Sequence, residues 1–359
     1  MMRILHLIPT LGGGGAERQL SLLAPSLARA GMEVHVGFHR VGIHATTIGN
    51  TGVVMHELFA AGSHHPAIAW RTAGLVRRLR PDIVQTWLLQ MDVVGGLAAL
   101  ACRVPLILSE RSSQPVNSLG WKACARRLVG SRAAAIVANS YAGAECWRGQ
   151  VPEQRRYVVR NAVVITPSAM EPPSPAQHLS QAPHILFAGR FSAEKGIRCM
   201  LEAMFRVAHA RPDALFILFG EGPERAEAEQ RVVTAGLAKR FTFAGYTDQL
   251  GWWMSKASVC VSASRFEGNP NVVLEAATVG CPLVLSDIPS HRELFGDDCA
   301  LFAPRDSPEC FAKLMIQTMD RPGAAQARAQ TARAATNCYN LEEVTQAWLR
   351  VYRTVTPKV

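Results

Sequence analysis

Short apolar runs alternate with segments of helical period along both halves of this chain, and this alternation limits the possible folds more than any other feature. Arg3–Ile8 and Glu33–Phe38 are such runs in the first half, and His184–Ala188 opens a second series. Strands that are mostly apolar are buried on both faces, and strands joined by helices pair in parallel. The sequence therefore predicts an α/β fold with a doubly wound parallel sheet in each half.

The same periodicities give approximate bounds for the individual elements. In the first half the predicted strands are Arg3–Ile8, Glu33–Phe38, Pro81–Thr86, Pro105–Leu108 and Ala134–Ala138, and the predicted helices are Glu17–Ala30, Ile68–Leu79 and Val93–Cys102. In the second half the predicted strands are His184–Ala188, Ala214–Phe219, Phe241–Ala244, Val259–Ala263 and Leu283–Ser286, and the predicted helices are Gly196–His209, Glu224–Ala235 and Leu250–Ser255. Pro25 removes a hydrogen bond from the first helix, so we expect a kink there.

Length and local composition predict two domains. The 359 residues suffice for two hydrophobic cores, and a stretch rich in proline and serine begins at Thr166. We expect an N-terminal Rossmann-like domain over residues 1–165, a linker over 166–183 and a second such domain over 184–338. A helix within residues 339–359 is expected to pack back towards the first domain. Two such domains place a ligand cleft between the carboxyl ends of their strands.

The net charge of +10 lies entirely in the first half, where residues 1–170 hold 18 Lys and Arg against 8 Asp and Glu, while the remainder holds 20 of each. The basic clusters are Arg71/Arg77/Arg78/Arg80, Lys122/Arg126/Arg127/Arg132 and Arg155/Arg156/Arg160. They are either solvated helix faces or a surface for anionic lipid or an acidic acceptor. Nucleic acid is not an expected partner, because no recognition-helix or aromatic-platform motif accompanies the charge.

Several signals of location and metal binding are missing from the sequence. The apolar N-terminal stretch is too short for a signal peptide, and no uninterrupted apolar run is long enough for a membrane span. We therefore expect a cytoplasmic protein. The nine cysteines have no metal-binding spacing, and no Asp-x-Asp sequence is present to hold a cation that bridges phosphates. Neither a cofactor nor a metal is expected.

Glycines and cations at predicted strand ends indicate a phosphorylated ligand. Gly14 and Gly15 follow the first strand and open a helix, where the backbone can approach a ligand and a helix start suits phosphate. Arg190 and Lys195 lie at an equivalent junction in the second half, and Arg190 can bind phosphate oxygens with two hydrogen bonds. Two further strand ends carry Gly220 and Tyr246, and Tyr246 either lies beside a base or covers the core.

Two glutamates enclose a predicted helix start in the segment Glu267-Gly-Asn-Pro-Asn-Val-Val-Leu-Glu275. Asn269 is a suitable cap and Pro270 suits the first helical position. One carboxylate then precedes the helix, and the other projects from its early turns. Because a helix start attracts anions, we expect a carboxylate placed there to hydrogen-bond hydroxyl groups of a phosphorylated ligand rather than to hold the phosphate itself.

The motifs of the second half, in their order, resemble the family 4 retaining glycosyltransferases of the GT-B fold. They are Ala188-Gly-Arg-Phe with Lys195-Gly196, Gly220-Glu-Gly-Pro223, Ser264-Arg-Phe-Glu-Gly268, the Glu267/Glu275 pair, and Leu274-Glu-Ala-Ala with Gly280-Cys-Pro282. The resemblance is strong over residues 184–295 and extends to the N-terminal glycine loop. It implies two Rossmann-like domains that face each other across a cleft, and a nucleotide-sugar donor.

The resemblance also implies residue roles. Arg190 and Lys195 would neutralise the donor diphosphate, with backbone amides near Asn271 and Val272. Glu275 would bind the ribose hydroxyls, and Glu267 with Gly268 and Asn269 would bind the donor sugar and support the transition state. Relatives often carry a histidine after the fourth strand of the N-terminal domain, where this chain has Glu110 and Arg111, which we take as acceptor-side candidates. Pro270 replaces a glycine of many relatives and removes one amide donor.

The function that follows is transfer of a sugar, with retained configuration, from a nucleotide-diphosphate sugar, expected to be a UDP-sugar. The sequence around Glu267 resembles members that serve bacterial surface polysaccharide assembly. A glycan or polyprenyl-diphosphate-linked acceptor at the inner leaflet, together with peripheral contact to an anionic membrane, would account for the basic first half. The alternatives are a non-hydrolysing nucleotide-sugar epimerase, which shares the fold, and a catalytically silent sugar-nucleotide-binding protein.

Overall fold

The structure is a computed structural model that describes residues 1–58, 65–113, 120–165, 170 and 182–356. The chain forms two compact units. The N-terminal unit comprises Met1–Ala162 with Tyr339–Val359, and the C-terminal unit comprises Val163–Cys338. Most of the predicted linker, residues 166–183, lies outside the described residues.

The N-terminal unit is built on a seven-stranded parallel sheet in the order β3-β2-β1-β4-β5-β6-β7. Its strands are β1 (Arg3–Thr10), β2 (Glu33–Arg40), β3 (Val54–Glu57), β4 (Ile83–Trp87), β5 (Leu106–Glu110), β6 (Ala135–Ala138) and β7 (Arg156–Val158). Its helices are α1 (Gly15–Arg29), α2 (Ala45–Gly49), α3 (Ala67–Leu79), α4 (Leu88–Ala101), α5 (Trp121–Ser131) and α6 (Tyr141–Glu145). The central strands β4, β5 and β6 are buried along their whole length, and each contains an apolar run that is typical of a strand covered on both faces.

A separate hydrophobic core covers each face of this sheet. One core contains Leu20 and Leu27 of α1, and the other contains Leu75 of α3, Ala98 of α4 and Val129 of α5. Helix α4 lies between α3 and α5 and contacts both. Helices α3, α4 and α5 therefore form one continuous layer on the second face.

The C-terminal unit is built on a six-stranded parallel sheet in the order β10-β9-β8-β11-β12-β13. Its strands are β8 (His184–Ala188), β9 (Leu215–Phe219), β10 (Phe241–Gly245), β11 (Val259–Ser262), β12 (Leu283–Ser286) and β13 (Leu301–Ala303). Its helices are α7 (Ile197–Ala210), α8 (Arg225–Thr234), α9 (Leu250–Lys256), α10 (Asn271–Thr278), α11 (Pro289–Arg292), α12 (Pro308–Asp320) and α13 (Pro322–Ala335). Both sheets confirm the predicted parallel α/β architecture.

The last helix, α14 (Leu341–Val355), packs on α1 of the N-terminal unit. Its Thr345 hydroxyl donates a hydrogen bond of 2.8 Å to the Ser26 hydroxyl. The Tyr352 hydroxyl donates one of 2.6 Å to the side-chain carbonyl of Gln85 in β4. Trp348 and Tyr352 are buried in the core of this unit, so the apolar stripe of α14 accounts for its position.

The structure adds elements that periodicity did not predict. The edge strands β3, β7 and β13 are only three or four residues long, and their burial is partial, so their sequences lack a continuous apolar run. Helix α5 was also missed, because it begins after Gly120, which offers no side-chain cap that would mark a helix start. Pro25 lies buried inside α1, which continues from Gly15 to Arg29.

Candidate active site

The carboxyl ends of four adjacent strands bring the predicted motifs of the second half together. In the order β10, β9, β8 and β11, these strands are neighbours in one parallel sheet. Tyr246 follows β10, Gly220 follows β9, Arg190 follows β8, and Glu267 comes after β11. Because the strands are parallel, all four segments leave the sheet at the same edge.

Glycine is required at two of these strand ends because backbones touch there. Gly220 has a φ of +121°, and a Cβ at this position would lie 2.0 Å from the Gly189 carbonyl oxygen. Gly196 has a φ of +65°, and a Cβ there would lie 2.2 Å from the Ala263 carbonyl oxygen. The two contacts hold the loop after β8 against the ends of β9 and β11. They fix the backbone on which Lys195 is carried.

Lys195 and Glu267 form the central ion pair of this edge. The Lys195 ammonium donates a hydrogen bond of 2.5 Å to Glu267 Oε1, and the Ser264 hydroxyl donates a second one of 2.7 Å to the same oxygen. The side chains of Lys195 and Glu267 are 24% and 13% exposed. Among the described residues Oε2 of Glu267 accepts no hydrogen bond, so the pair keeps donor and acceptor capacity for a ligand.

Helix α10 starts one residue later than predicted. Pro270 is the N-cap in extended conformation and Asn271 is the first helical residue, which corrects the expectation that Asn269 caps and Pro270 is helical. The amides of the first turn, from Asn271 onwards, have no acceptor within the helix. Glu275 lies in the second turn and is buried. The helix start therefore lies between the two glutamates in sequence, as expected.

A buried histidine supports the loop that carries Glu267, and sequence reasoning missed it. His291 of α11 is fully buried, and its Nδ1 lies 2.8 Å from the Ser286 carbonyl oxygen. Since a carbonyl oxygen only accepts hydrogen bonds, Nδ1 carries the proton. The Ser286 hydroxyl in turn donates a bond of 2.5 Å to the carbonyl oxygen of Ser264, whose own hydroxyl reaches Glu267.

The environment of His291 disfavours the charged form of its ring. Burial lowers the pKa of His291, and Glu267 and Lys195 are close enough to shift that pKa in opposite directions. Its Nε2 has no hydrogen-bond partner among the described residues. The only signal in the sequence is a histidine shortly after a strand end, which by itself does not distinguish a site residue from a core residue.

The remaining predicted donor-binding residues differ in exposure. Arg190 is exposed and forms no hydrogen bond or ion pair within the described part of the chain. Tyr246 is 73% exposed, which excludes the alternative that its ring covers the core. Gly268 and Val272 are partly buried, and Asn269 is buried. The structure thus leaves an exposed cation and an exposed aromatic ring at the same sheet edge as the Lys195–Glu267 pair.

The glycine loop of the N-terminal unit contains an acidic side chain of its own. Gly14 is the N-cap of α1 and Gly15 its first residue. A Cβ on Gly14 would lie 2.4 Å from the carboxylate of Glu17, which is buried at the third helical position. This carboxylate lies against the helix start, where an anion would bind. A donor-binding role for Gly14 and Gly15 stays a prediction.

The acceptor-side candidate Glu110 lies in a buried ionic cluster formed by Asp92, Arg126 and Glu110. Arg126 donates hydrogen bonds of 2.7 Å to Asp92 Oδ2 and of 2.7 Å to Glu110 Oε2. Glu110 also accepts bonds from the Trp147 indole at 3.0 Å and from backbone amides that follow β5. All three charged residues are buried. This environment favours a structural role for Glu110, and it places Arg126 in the interior rather than on a solvated helix face.

Arg111 extends this cluster towards the surface. Its guanidinium lies 4.2 Å from the centroid of the Trp87 ring and donates a hydrogen bond of 3.0 Å to Asn161. Burial lowers the pKa of Arg111 to about 10, so the side chain stays charged at neutral pH. Its Nε has no hydrogen-bond partner among the described residues. A role for Arg111 towards an acceptor stays a prediction.

The two parallel-sheet units match the GT-B fold, and comparison with protein families identifies the class of protein. Residues 13–167 match the family model described as Glycosyltransferase Family 4, and residues 182–321 match the model described as Glycosyl transferases group 1. Together the two matches span most of the chain. The protein belongs to this family of transferases.

Two relatives and one solved structure illustrate the similarity. The Vi polysaccharide biosynthesis protein VipC/TviE of Salmonella typhi is 34% identical over 30% of this chain, which spans only 18% of that protein's length. An N-acetyl-D-galactosaminyltransferase of Campylobacter jejuni, named as acting on a saccharide linked to PP-undecaprenol, is 22% identical over 98% of both chains. The crystal structure of Anabaena HepE in complex with UDP-glucose covers 99% of both chains with a TM-score of 0.85 at 19% identity, which shows the shared fold.

No helix in the described part of the chain is both long enough and apolar enough to cross a membrane.

Proposed function

We propose that this protein is a retaining, metal-independent hexosyltransferase that uses a nucleotide-diphosphate sugar, in the first place a UDP-sugar. The observation that carries the proposal is the Lys195–Glu267 ion pair, which is partly exposed beside the start of α10. A cation and a row of backbone amides suit a diphosphate, and the open carboxylate oxygen suits a sugar hydroxyl. The related HepE structures, which are complexes with UDP and with UDP-glucose, support the choice of donor.

The proposed roles follow from this geometry. Lys195 and Arg190 neutralise the charge that develops on the departing diphosphate, and fixed donors of this kind act without reorganisation in the transition state. Glu267 orients the donor sugar through its free oxygen while Lys195 and Ser264 hold the other oxygen. Glu275 binds the ribose, and Tyr246 lies beside the base. The bond between the anomeric carbon and the phosphate oxygen breaks, the acceptor oxygen takes its place on the same face, and the departing phosphate accepts the acceptor's proton.

The acceptor in this proposal is a glycan or a polyprenyl-diphosphate-linked saccharide of bacterial surface polysaccharide assembly. The excess of 18 basic over 8 acidic residues in residues 1–170 supports an acceptor that is presented at an anionic membrane. The Campylobacter relative, whose name includes a PP-undecaprenol-linked saccharide, supports the same class.

Thermal unfolding with UDP, GDP and ADP tests the donor base first, because only a ligand that binds the folded state raises Tm. We expect UDP to raise Tm most. UDP-sugars are then incubated with the protein in the presence of EDTA, and the anomeric configuration of the product is read by NMR. Transfer with retention supports the proposal, and loss of activity that Mg²⁺ restores would contradict metal independence. An epimerised donor without transfer would instead support an epimerase, and binding without turnover a silent binding protein.

A further inference from the structure

The layer formed by α3, α4 and α5 exposes large apolar side chains to solvent. On α3 Trp70 is 77% exposed, and on α5 Trp121 and Leu128 are 72% and 55% exposed. Leu97 of α4, the helix between them, is 53% exposed. The other five tryptophans of the chain are buried or partly buried. Two exposed tryptophans in one helical layer are uncommon on a surface that contacts only water, and large exposed apolar groups of this kind mark interaction sites.

The charge of the same layer has a single sign on its outer side. The exposed basic residues of these helices and of their ends are Arg71, Arg77, Arg78, Arg80, Arg103, Lys122, Arg127 and Arg132. Helices α3 and α5 contain no acidic residue, and α4 contains only Asp92. Asp92 is fully buried and paired with Arg126, so it does not offset the surface charge.

We propose that α3, α4 and α5 form a docking face for an anionic membrane surface. Trp70 and Trp121 would enter the headgroup region, where indole rings are favoured because one end is apolar and the other polar. The surrounding arginines and Lys122 contact lipid phosphates. This inference deepens the proposed function, because a polyprenyl-linked acceptor would be presented at that membrane. A protein partner would need acidic complementarity over the same area, and lipid headgroups supply it without a specific sequence.

Sedimentation of the full chain with vesicles, in the absence of donor and acceptor, tests the docking face. We expect binding to phosphatidylcholine vesicles to rise when phosphatidylglycerol is added and to fall with salt. Trp70→Ala and Trp121→Ala should each weaken binding roughly tenfold, because full burial of a large apolar side chain is worth about that factor. Tyr141→Ala removes an aromatic ring of 63% exposure from α6 of the same unit and should leave binding unchanged.

Charge reversal gives a second, independent variant. The double variant R77E/R78E should abolish the response to phosphatidylglycerol, whereas R321E/R333E, which reverses two exposed charges of the C-terminal unit, should keep it. Binding that ignores lipid charge, or that survives both tryptophan variants, would overturn the proposal. A dimer that light scattering detects and that Trp121→Ala dissociates would assign the face to a second copy and also overturn it.

The docking face and the proposed function can fail separately. Sugar transfer to a water-soluble acceptor analogue should be unchanged in the tryptophan variants, because the face contributes no residue to the strand-end site. Transfer without vesicle binding would overturn the docking face alone. Vesicle binding without transfer would leave the docking face standing and contradict the transferase proposal.

Discussion

Each unit places acidic and basic side chains beside the carboxyl ends of its strands, but in opposite environments. In the N-terminal unit Arg126 pairs with Asp92 and Glu110, and these side chains are 7%, 0% and 3% exposed. In the C-terminal unit Lys195 and Glu267 are 24% and 13% exposed. The residue types and distances are nearly the same. Solvent access and the number of additional partners distinguish the two sets.

The comparison shows how one kind of contact serves two purposes. In the buried cluster the hydrogen-bonding capacity is taken up within the protein, and burial raises the pKa of Asp92 to about 6 even beside Arg126. In the C-terminal pair one carboxylate oxygen accepts both bonds and the other accepts none among the described residues. A buried cluster whose polar groups are hydrogen-bonded within the protein helps to specify the fold. A partly exposed ion pair with an oxygen that accepts no hydrogen bond can bind a ligand.

The largest effect is expected for Arg126→Met, which removes the cation of the buried cluster. Two buried carboxylates would remain without a counter-charge, and breaking such a pair costs about 3–5 kcal/mol of unfolding free energy. Urea unfolding followed by tryptophan fluorescence measures the loss. Arg148→Met is the matched control, because its ion pair with Glu145 is largely exposed and surface pairs contribute about 0–1 kcal/mol. Equal losses in both variants would contradict the distinction.

Glu267→Gln tests the other half of the comparison. The substitution keeps the shape and an acceptor for Lys195, but it removes the charge, so we expect turnover to fall roughly 10²–10³-fold. The unfolding free energy should change little. Glu227→Gln, which alters an exposed carboxylate paired with Arg198 in the same unit, should leave turnover unchanged. If Glu267→Gln keeps full activity, the proposed site is wrong.

His6 of β1 predicts a pH dependence of stability for the N-terminal unit. Burial lowers the pKa of His6 from 6.5 to about 3, so between these values the unfolded chain binds a proton that the folded chain excludes. The contribution of His6 to the free energy of unfolding therefore falls as the pH falls from 6.5 towards 3. At pH 4 this contribution is about 3 kcal/mol lower than at neutral pH. His6→Gln removes this titration and keeps an acceptor for the Trp87 indole, which lies 3.3 Å from His6 Nδ1.

Unfolding curves at several pH values measure this effect. The His6→Gln variant should lose stability less steeply with acid than the unsubstituted protein. His65→Gln changes an exposed histidine of the same unit and should keep the original slope. If the free energy of unfolding changes with pH in the same way in all three proteins, His6 does not titrate as described.

The smallest effect is expected for His291, the buried histidine of the C-terminal unit. His291→Leu removes the N–H that anchors Ser286, so Ser264 and Glu267 lose their support. Small displacements of positioning groups cost about tenfold in rate, and we expect kcat to fall by that factor with little change in the donor KM. His291→Asn retains an N–H group and should recover part of kcat. A variant with unchanged kcat but lower Tm would indicate a purely structural role.

Much of the fold could be predicted because its signals are local. The bounds predicted for β8 and β12 agree with the structure to the residue, and α14 lies within the predicted residues 339–359, since each segment has a clear period and a clear stop. Strands β3, β7 and β13 could not be predicted, because pairing with a neighbouring strand, and not their own sequence, makes them strands. Helix α5 lacked a recognisable start, because Gly120 before it has no side chain that could cap the helix.

Some residues of the candidate site could likewise be predicted from the sequence, and others could not. The glycines and cations at the ends of β8 and β9 and the glutamates around α10 are visible in the sequence, because strand-to-helix junctions have characteristic compositions. His291 and Ser286 were not recognised, because their role depends on a contact with Ser264 more than twenty residues away. Glu110 was assigned to the acceptor side, although its surroundings are those of a structural residue.

The sequence by itself determined the parallel α/β architecture, the order of the strand-end motifs and the family. These follow from periodicity and from short segments whose residues act on their own backbone. Only the tertiary structure decided which charges are buried and which are open to a ligand. In the sequence Arg126 and Lys195 are both cations in helical or junction segments. In the structure Arg126 pairs with Asp92 and Glu110 in the interior. Lys195 pairs with Glu267 at an accessible edge of the sheet. Whether a charged side chain is buried depends on contacts between distant segments, which its local sequence does not encode.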